Sequence, residues 1–423
     1  MNTDIQETGQ IEPSHGRSGL WDRAVRRAEW LTWDRIRIAC VFSAIGMVLG
    51  LAYLLLLPNA QTSPTGLLIM DYLAYWLAGQ QALNGTPGVV YDTFVFLEMQ
   101  RTMSGTEDFL TFFYPPPFQM MLMPFALLPY KAAFVVFAAT TTVFLAFVCR
   151  LITGNWVWAI CLILIPASFN NVFHGQNAAL TAALFGLFAL GIDRGKYWWA
   201  GIALGLLTIK PQLGILAPFA LIACWNWRAF AGASATALVL AGLSVLVLGS
   251  NVWVLFWTQA PLATDIMNAG NIDWAKMVSV YSSVRQLGVG HSAAMGVQAL
   301  TGIAMLVCVW LVWSRSADTF ARTAVLAAGT LLSTPYAHSY DVLVLVVPCA
   351  FLIVTGTAKG FLDYEKAGLA IVIGLAASTA SIAILSGVPI APLLPALMVW
   401  MGMRRGLGGA SVKSPAYAGV PGG

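Results

Sequence analysis

The residues best suited to chemistry lie in short polar segments between long apolar runs. Asp71 opens an aromatic-rich segment, residues 71–79, that is too short to cross a membrane. At helical spacing Asp71 and Tyr75 share one face, so a carboxylate and a phenol can point into one cleft. Such a carboxylate can accept a proton from a substrate hydroxyl. It can equally act as the N-cap of the helix, and the sequence leaves both roles open.

Residues 170–177 form a second polar segment, Asn-Asn-Val-Phe-His-Gly-Gln-Asn, between two apolar runs. The side chains of His174, Gln176 and Asn177 are suited to binding sugar hydroxyls. A turn that satisfies its own backbone explains the asparagines and the glycine equally well.

Tyr114 immediately precedes three prolines at the start of the next apolar run. An aromatic wall at this point would suit an isoprenoid tail or the face of a sugar. The prolines also explain the segment structurally, because they cap the following span and redirect the chain.

Lys210 interrupts apolar sequence close to the predicted membrane boundary, and Gln212 follows it. An unpaired lysine at that depth costs up to about 2.5–3.5 kcal/mol. Binding a lipid-linked phosphate would explain its presence, and so would extension of the ammonium to the lipid headgroups. Arg285 and Lys276 are the other candidates for contacting a phosphate on the same side of the membrane.

The segment 333–341 places His338 and Asp341 three residues apart, close enough to share a helical face. A structural histidine and a functional one are equally compatible with this cluster of polar side chains. The chain lacks GxGxxG, Walker, HExxH and GxSxG motifs, which argues against nucleotide binding and against serine or zinc hydrolysis.

The composition is that of a membrane protein. Of the 423 residues, 59% are apolar and 9% are charged, and the net charge of +4 has no basic stripe that would bind nucleic acid. The six cysteines lack metal-ligand spacing, so no metal site or cofactor is predicted, although a divalent ion could supplement the cations.

Apolar runs predict an all-α polytopic fold of about 10–12 transmembrane helices, with a juxtamembrane helix in the first outer loop. The stretch 118–149 is too long for one span. Pro124 and Pro129 suggest a short element before a crossing that begins near Tyr130. We predict a basic N-terminal segment at 1–35, the membrane domain at 36–405 and a disordered tail at 406–423.

Lysine and arginine are distributed unevenly between alternate loops. With the N-terminus inside, the short loops that contain Arg150, Arg194, Arg228, Arg315 and Lys359 all lie in the cytoplasm, and so do both termini. The candidate chemical residues then lie on the periplasmic or extracellular side of the inner membrane.

The order of these short motifs, from Asp71 through YPP, HGQN and IKPQ to His338, resembles glycosyltransferase family 87. That resemblance implies the GT-C architecture and an inverting transfer of a hexose, typically mannose, from a polyprenyl phosphate to a lipid or glycan acceptor. The donor, the acceptor and membrane lipids are the implied partners.

The resemblance also implies roles for individual residues. Asp71 matches the first-loop aspartate that acts as general base, and His338 matches a late histidine at the rim of the active site. Lys210 would face the donor phosphate, with Arg285 as a second cation. The late motif departs from the family because no second histidine adjoins His338. The remaining polar candidates are assigned to substrate binding: Tyr75, Tyr114, His174, Gln176, Asn177, Gln212 and Asp341.

A transporter or flippase of a lipid-linked saccharide is the alternative function. A transporter would move the lipid between leaflets without forming a glycosidic bond. Such a protein is expected to hold ionisable groups near the middle of the membrane, between pseudo-symmetric halves, and neither feature is clear in this sequence.

Overall fold

The computed structural model describes residues 19–56, 71–105, 110–270 and 272–408. Within these ranges the chain is helical, and its one β-bridge joins Met277 to His338. The α-helices are α1 Trp33–Leu56, α2 Tyr72–Leu83, α3 Thr93–Ser104, α4 Pro116–Ala126, α5 Tyr130–Thr153, α6 Trp156–Ile163, α7 Pro166–His174, α8 Ala178–Asp193, α9 Tyr197–Leu206, α10 Ala217–Ala223, α11 Trp227–Leu248, α12 Asn251–Ala269, α13 Val280–Gln286, α14 His291–Arg315, α15 Thr319–Ser333, α16 Val346–Lys359, α17 Glu365–Leu375, α18 Thr379–Ser386 and α19 Leu393–Leu407.

The protein is a multi-pass membrane protein. In the described residues five helical segments are long and apolar enough to cross a membrane: Trp33–Tyr53, Tyr130–Thr153, Trp227–Leu248, His291–Arg315 and Ser339–Lys359. The bent pairs α6–α7 and α17–α18 raise that number to seven if each pair forms one span. The all-α polytopic class is confirmed, and the larger count of 10–12 spans stays a prediction.

The predicted break in the long apolar run after Phe118 is confirmed. Helix α4 ends at Ala126, and α5 begins at Tyr130, directly after Pro129. The short α4 packs against α2, the juxtamembrane helix of the first loop. The predicted C-terminal tail lies almost wholly outside the described residues, since α19 continues to Leu407 and residues 409–423 are not described.

The segment 250–291 contains the helices α12 and α13. Helix α12 has 19 residues, with Pro261 in its interior, and α13 has seven. Polar residues and Pro261 break the apolar pattern of α12, which is why the sequence did not indicate a helix. The ring of Phe256 in α12 lies 5.8 Å from the ring of Tyr91, so this helix covers the first loop.

Small residues allow the membrane helices to approach closely. A Cβ atom on Gly201 of α9 would lie 2.5 Å from the backbone oxygen of Ala229 in α11. This close contact is typical of helix packing in membranes, where apolar side chains gain little from association alone. The outer faces of α1 and α11 remain apolar and exposed, as surfaces in contact with lipid require.

Basic residues gather at one end of the helix bundle. Arg405 donates to both carboxylate oxygens of Glu365, at 2.7 and 2.6 Å, and Glu365 is 1% exposed. Arg26 donates to Asp363 at 2.7 Å and so ties the N-terminal segment to the same end. Helices α5 and α8 end close together, because Arg194 donates to the carbonyl oxygen of Leu151 at 2.7 Å.

Candidate active site

The side chain of Asp71 does not cap helix α2. Asp71 occupies the N-cap position, but its carboxylate accepts no hydrogen bond from the first backbone N–H groups of the helix. Its Oδ2 instead accepts a hydrogen bond from Nε2 of Gln176, at 2.5 Å. The half-buried carboxylate is therefore held by a side chain from the second polar segment. Of the two roles that the sequence left open, helix capping is not observed.

The turn after α7 brings Gln176 to Asp71. Helix α7 ends at His174, and Gly175 adopts a left-handed conformation with φ of 67°. A Cβ atom on Gly175 would lie 2.6 Å from Cβ of Tyr72 in α2, so only glycine lets the two backbones approach this closely. Nδ1 of His174 lies 2.9 Å from the carbonyl oxygen of Asn170, which orients the half-buried imidazole.

Two tyrosine hydroxyls hold the other end of the Gln176 amide. The hydroxyl oxygen of Tyr75 lies 2.6 Å from Oε1 of Gln176, and that of Tyr114 lies 3.2 Å from it. The two hydroxyls are also hydrogen-bonded to each other at 2.6 Å, so one phenol donates to the other and the remaining phenol proton is donated to Oε1. Burial raises the pKa of both phenols, that of Tyr75 well above its ordinary value, so both stay protonated and able to donate.

A buried ion pair lies next to the tyrosines and Gln176. Nζ of Lys210 is 2.5 Å from Oδ1 of Asp341, and the two side chains are 2% and 0% exposed. Oδ1 of Asn177 accepts a second, longer hydrogen bond from the same ammonium at 3.4 Å. The ammonium also lies 5.0 Å from the ring centroid of Tyr340, within the range of a cation–π contact. Lys210 thus points into the protein and does not extend to lipid headgroups.

His338 lies at the edge of the same cluster. Its backbone N–H donates to Oδ2 of Asp341 at 3.1 Å, and its ring stacks on Tyr340 with centroids 5.2 Å apart. Burial lowers the pKa of the imidazole, which is therefore neutral at pH 7. The backbone N–H of Val278 donates to the carbonyl of Ala337 at 2.8 Å, so the segment before α13 supports the His338 loop.

The structure thus brings together nine of the eleven residues to which the resemblance assigns a role. They are Asp71, Tyr75, Tyr114, His174, Gln176, Asn177, Lys210, His338 and Asp341. The pKa of His338 is influenced by the charges of four of these residues, so the groups lie close together. They are Asp341, Lys210, Asp71 and His174.

Arg285 and Gln212 are the two exceptions. Arg285 donates to the backbone carbonyl of Val289 at 3.1 Å and lies 5.3 Å from the ring of Trp274. Gln212 lies half-buried in the short helical turn Pro211–Gly214. Within the part of the chain that the structure describes, no hydrogen bond or ion pair links either side chain to the cluster.

Sequence reasoning missed Tyr340 as a member of the site. This residue is 8% exposed, and its ring lies between the imidazoles of His338 and His174, the latter at 6.2 Å between centroids. Its position between His338 and Asp341 in the sequence was the available signal. An aromatic residue in a membrane protein is too common for that signal to single it out.

The family comparison covers more than half of the chain. The model of glycosyltransferase family 87 matches residues 112–335, a range that holds His174, Gln176, Asn177 and Lys210. Asp71 precedes the matched range and His338 follows it. No curated protein and no solved structure matches the chain. The family match and the all-helical membrane architecture agree, and the chain belongs to glycosyltransferase family 87.

Proposed function

We propose that the protein transfers a hexose, with inversion, from a polyprenyl-phosphate donor to a lipid or glycan acceptor. The observation that carries this proposal is a half-buried carboxylate, Asp71, at the edge of a polar cluster in a family 87 glycosyltransferase. Membership of this family favours the transferase over the transporter alternative. Mannose is the sugar that the resemblance suggests.

In the proposed reaction the acceptor hydroxyl attacks the anomeric carbon while Asp71 takes the hydroxyl proton. The new glycosidic bond forms as the bond between the anomeric carbon and the phosphate oxygen breaks, and its electron pair stays on that oxygen. The reaction passes through an oxocarbenium-ion-like transition state, as in other glycosyl transfers. A single displacement of this kind inverts the configuration at the anomeric carbon.

The leaving group gains one negative charge and needs no proton. Lys210 is the cation that the structure places in the cluster, and its position supports a role in stabilising the departing phosphate. Its charge is shared with Asp341, so the neutral and half-buried His338 is the second group proposed to face the donor. Arg285 remains a candidate from the sequence alone.

An apolar cavity next to the cluster suits the polyprenyl chain of the donor. It has a volume of about 270 Å³ and lies between α4 and α5, where Phe118, Phe125, Phe137 and Phe144 line it. The ring of Phe118 also lies 4.6 Å from the ring of Tyr114, between centroids. A lipid held in this cavity would carry its phosphate toward the polar cluster.

The position of the cluster supports an active site on the outer face of the inner membrane. Helices α5 and α8 begin beside the cluster, and each ends near a basic residue, Arg150 and Arg194. Because short basic loops stay in the cytoplasm, the opposite end of these helices would face the periplasm or the exterior.

The proposal is tested with purified protein, a labelled polyprenyl-phosphate hexose and an acceptor lipid. Asp71→Asn is expected to lower turnover by about 10²–10⁴-fold, because an amide cannot accept the proton. The matched control is Asp92→Asn, since Asp92 caps α3 and asparagine caps about as well. No transfer by the wild-type protein, or normal turnover by Asp71→Asn at saturating donor, would contradict the proposal.

A further inference from the structure

Gln176 lies between the carboxylate of Asp71 and the hydroxyls of two tyrosines. Its Nε2 donates to Asp71, and the hydroxyls of Tyr75 and Tyr114 lie within hydrogen-bond distance of its Oε1. We propose that Gln176 is a positioning residue for Asp71, whose amide orients the carboxylate that accepts the proton. This inference rests on the proposed function, because it takes Asp71 as the general base.

The orientation of the amide follows from the chemistry of its neighbours. A carboxylate accepts hydrogen bonds, so it must face the nitrogen of the amide, and the two phenols can donate to the oxygen. The reversed amide would place its oxygen against the carboxylate of Asp71, with two acceptors in contact. Tyr75 and Tyr114 therefore fix which end of Gln176 reaches Asp71.

These contacts argue against a direct role of Gln176 in binding a sugar. The side chain is 6% exposed, and its carbonyl oxygen lies within hydrogen-bond distance of both phenol hydroxyls. One of its two N–H groups is used by Asp71. A sugar hydroxyl would have to displace these partners, whereas a positioning role uses the contacts as they are.

The test is the effect of Gln176→Met on kcat and KM, since methionine has a similar length and no hydrogen-bond donor. A carboxylate that loses its orientation slows the chemical step, so kcat is expected to fall by about 10- to 100-fold, the usual effect of losing a hydrogen bond to a charged group. KM is expected to stay close to the wild-type value, because a positioning residue does not contact the substrate.

Tyr75→Phe tests the proposal if Gln176→Met does not fold. It removes a hydroxyl that orients the amide and keeps the ring, and a smaller fall of kcat is expected, again with little change in KM. The matched control is Tyr72→Phe, also in α2, because the buried hydroxyl of Tyr72 has no hydrogen-bond partner among the described residues. The control is expected to match the wild-type kcat and KM.

The outcomes separate this inference from the proposed function. A wild-type protein that transfers no hexose would refute the proposed function itself. A wild type that transfers, together with variants whose kcat is unchanged while KM rises, would instead assign Gln176 and Tyr75 to substrate binding and overturn the positioning role.

Discussion

The buried pair of Lys210 and Asp341 gives the sharpest test of how the site is held together. Their charged atoms are 2.5 Å apart, and both side chains are almost completely buried. Removing one partner leaves a buried charge without compensation, which costs about 3–5 kcal/mol of unfolding free energy. We therefore expect Lys210→Met and Asp341→Asn each to destabilise the protein by about that amount. Asparagine at 341 can still accept the N–H of His338.

The double variant should lose much less than the sum of the two single losses, because it leaves no uncompensated charge. The assay is equilibrium unfolding in detergent micelles for all four proteins of the double-mutant cycle. If the two single losses sum to the loss in the double variant within about 0.5 kcal/mol, the pairing is refuted. The double variant also separates stability from catalysis, because it should be folded and yet slow if Lys210 acts on the departing phosphate. Normal turnover in that variant would remove Lys210 from the mechanism.

Two further predictions concern the turn at Gly175 and the orientation of the protein. Gly175→Ala should lower both stability and turnover, because it adds strain at positive φ and a clash with Tyr72. The control is Gly195→Ala, because Gly195 has the same φ and open space around it. The control should cost about 1–2 kcal/mol of stability and leave turnover intact. In a cysteine-free background, Glu98→Cys should react with an impermeant maleimide in intact cells and Lys359→Cys only after permeabilisation. Equal loss of turnover in both glycine variants, or the reverse labelling pattern, would contradict these expectations.

The sequence predicts the fold well where the apolar pattern is interrupted by strong local signals. Pro129 ends one element and precedes the next, as proline does because it fixes φ and restricts the residue before it. Helix α12 shows the opposite case. It lies over the first loop and carries both exposed apolar residues, such as Trp257, and polar ones, so neither length nor hydropathy marks it as a helix.

The sequence also names most of the residues of the polar cluster but few of their partners. Asp71 and Gln176 are separated by 105 positions, and Lys210 and Asp341 by 131. Local spacing can suggest that a carboxylate caps a helix or that a lysine extends to the headgroups. It cannot show that each side chain is instead held by a residue from a distant helix end, because that depends on how the helices pack.

Burial divides the cluster into two groups with different tasks. Gln176, Asn177 and Asp341 are buried, and their hydrogen bonds go to other side chains of the cluster, so they are poorly placed to contact a substrate without rearrangement. The other group consists of the half-buried side chains of Asp71, His174 and His338. Groups that exchange protons with a substrate must be reachable, whereas the groups that fix their orientation work best when water is excluded. Substitutions in the buried group should therefore change turnover through Asp71 and His338, and substitutions at these two residues should change it directly.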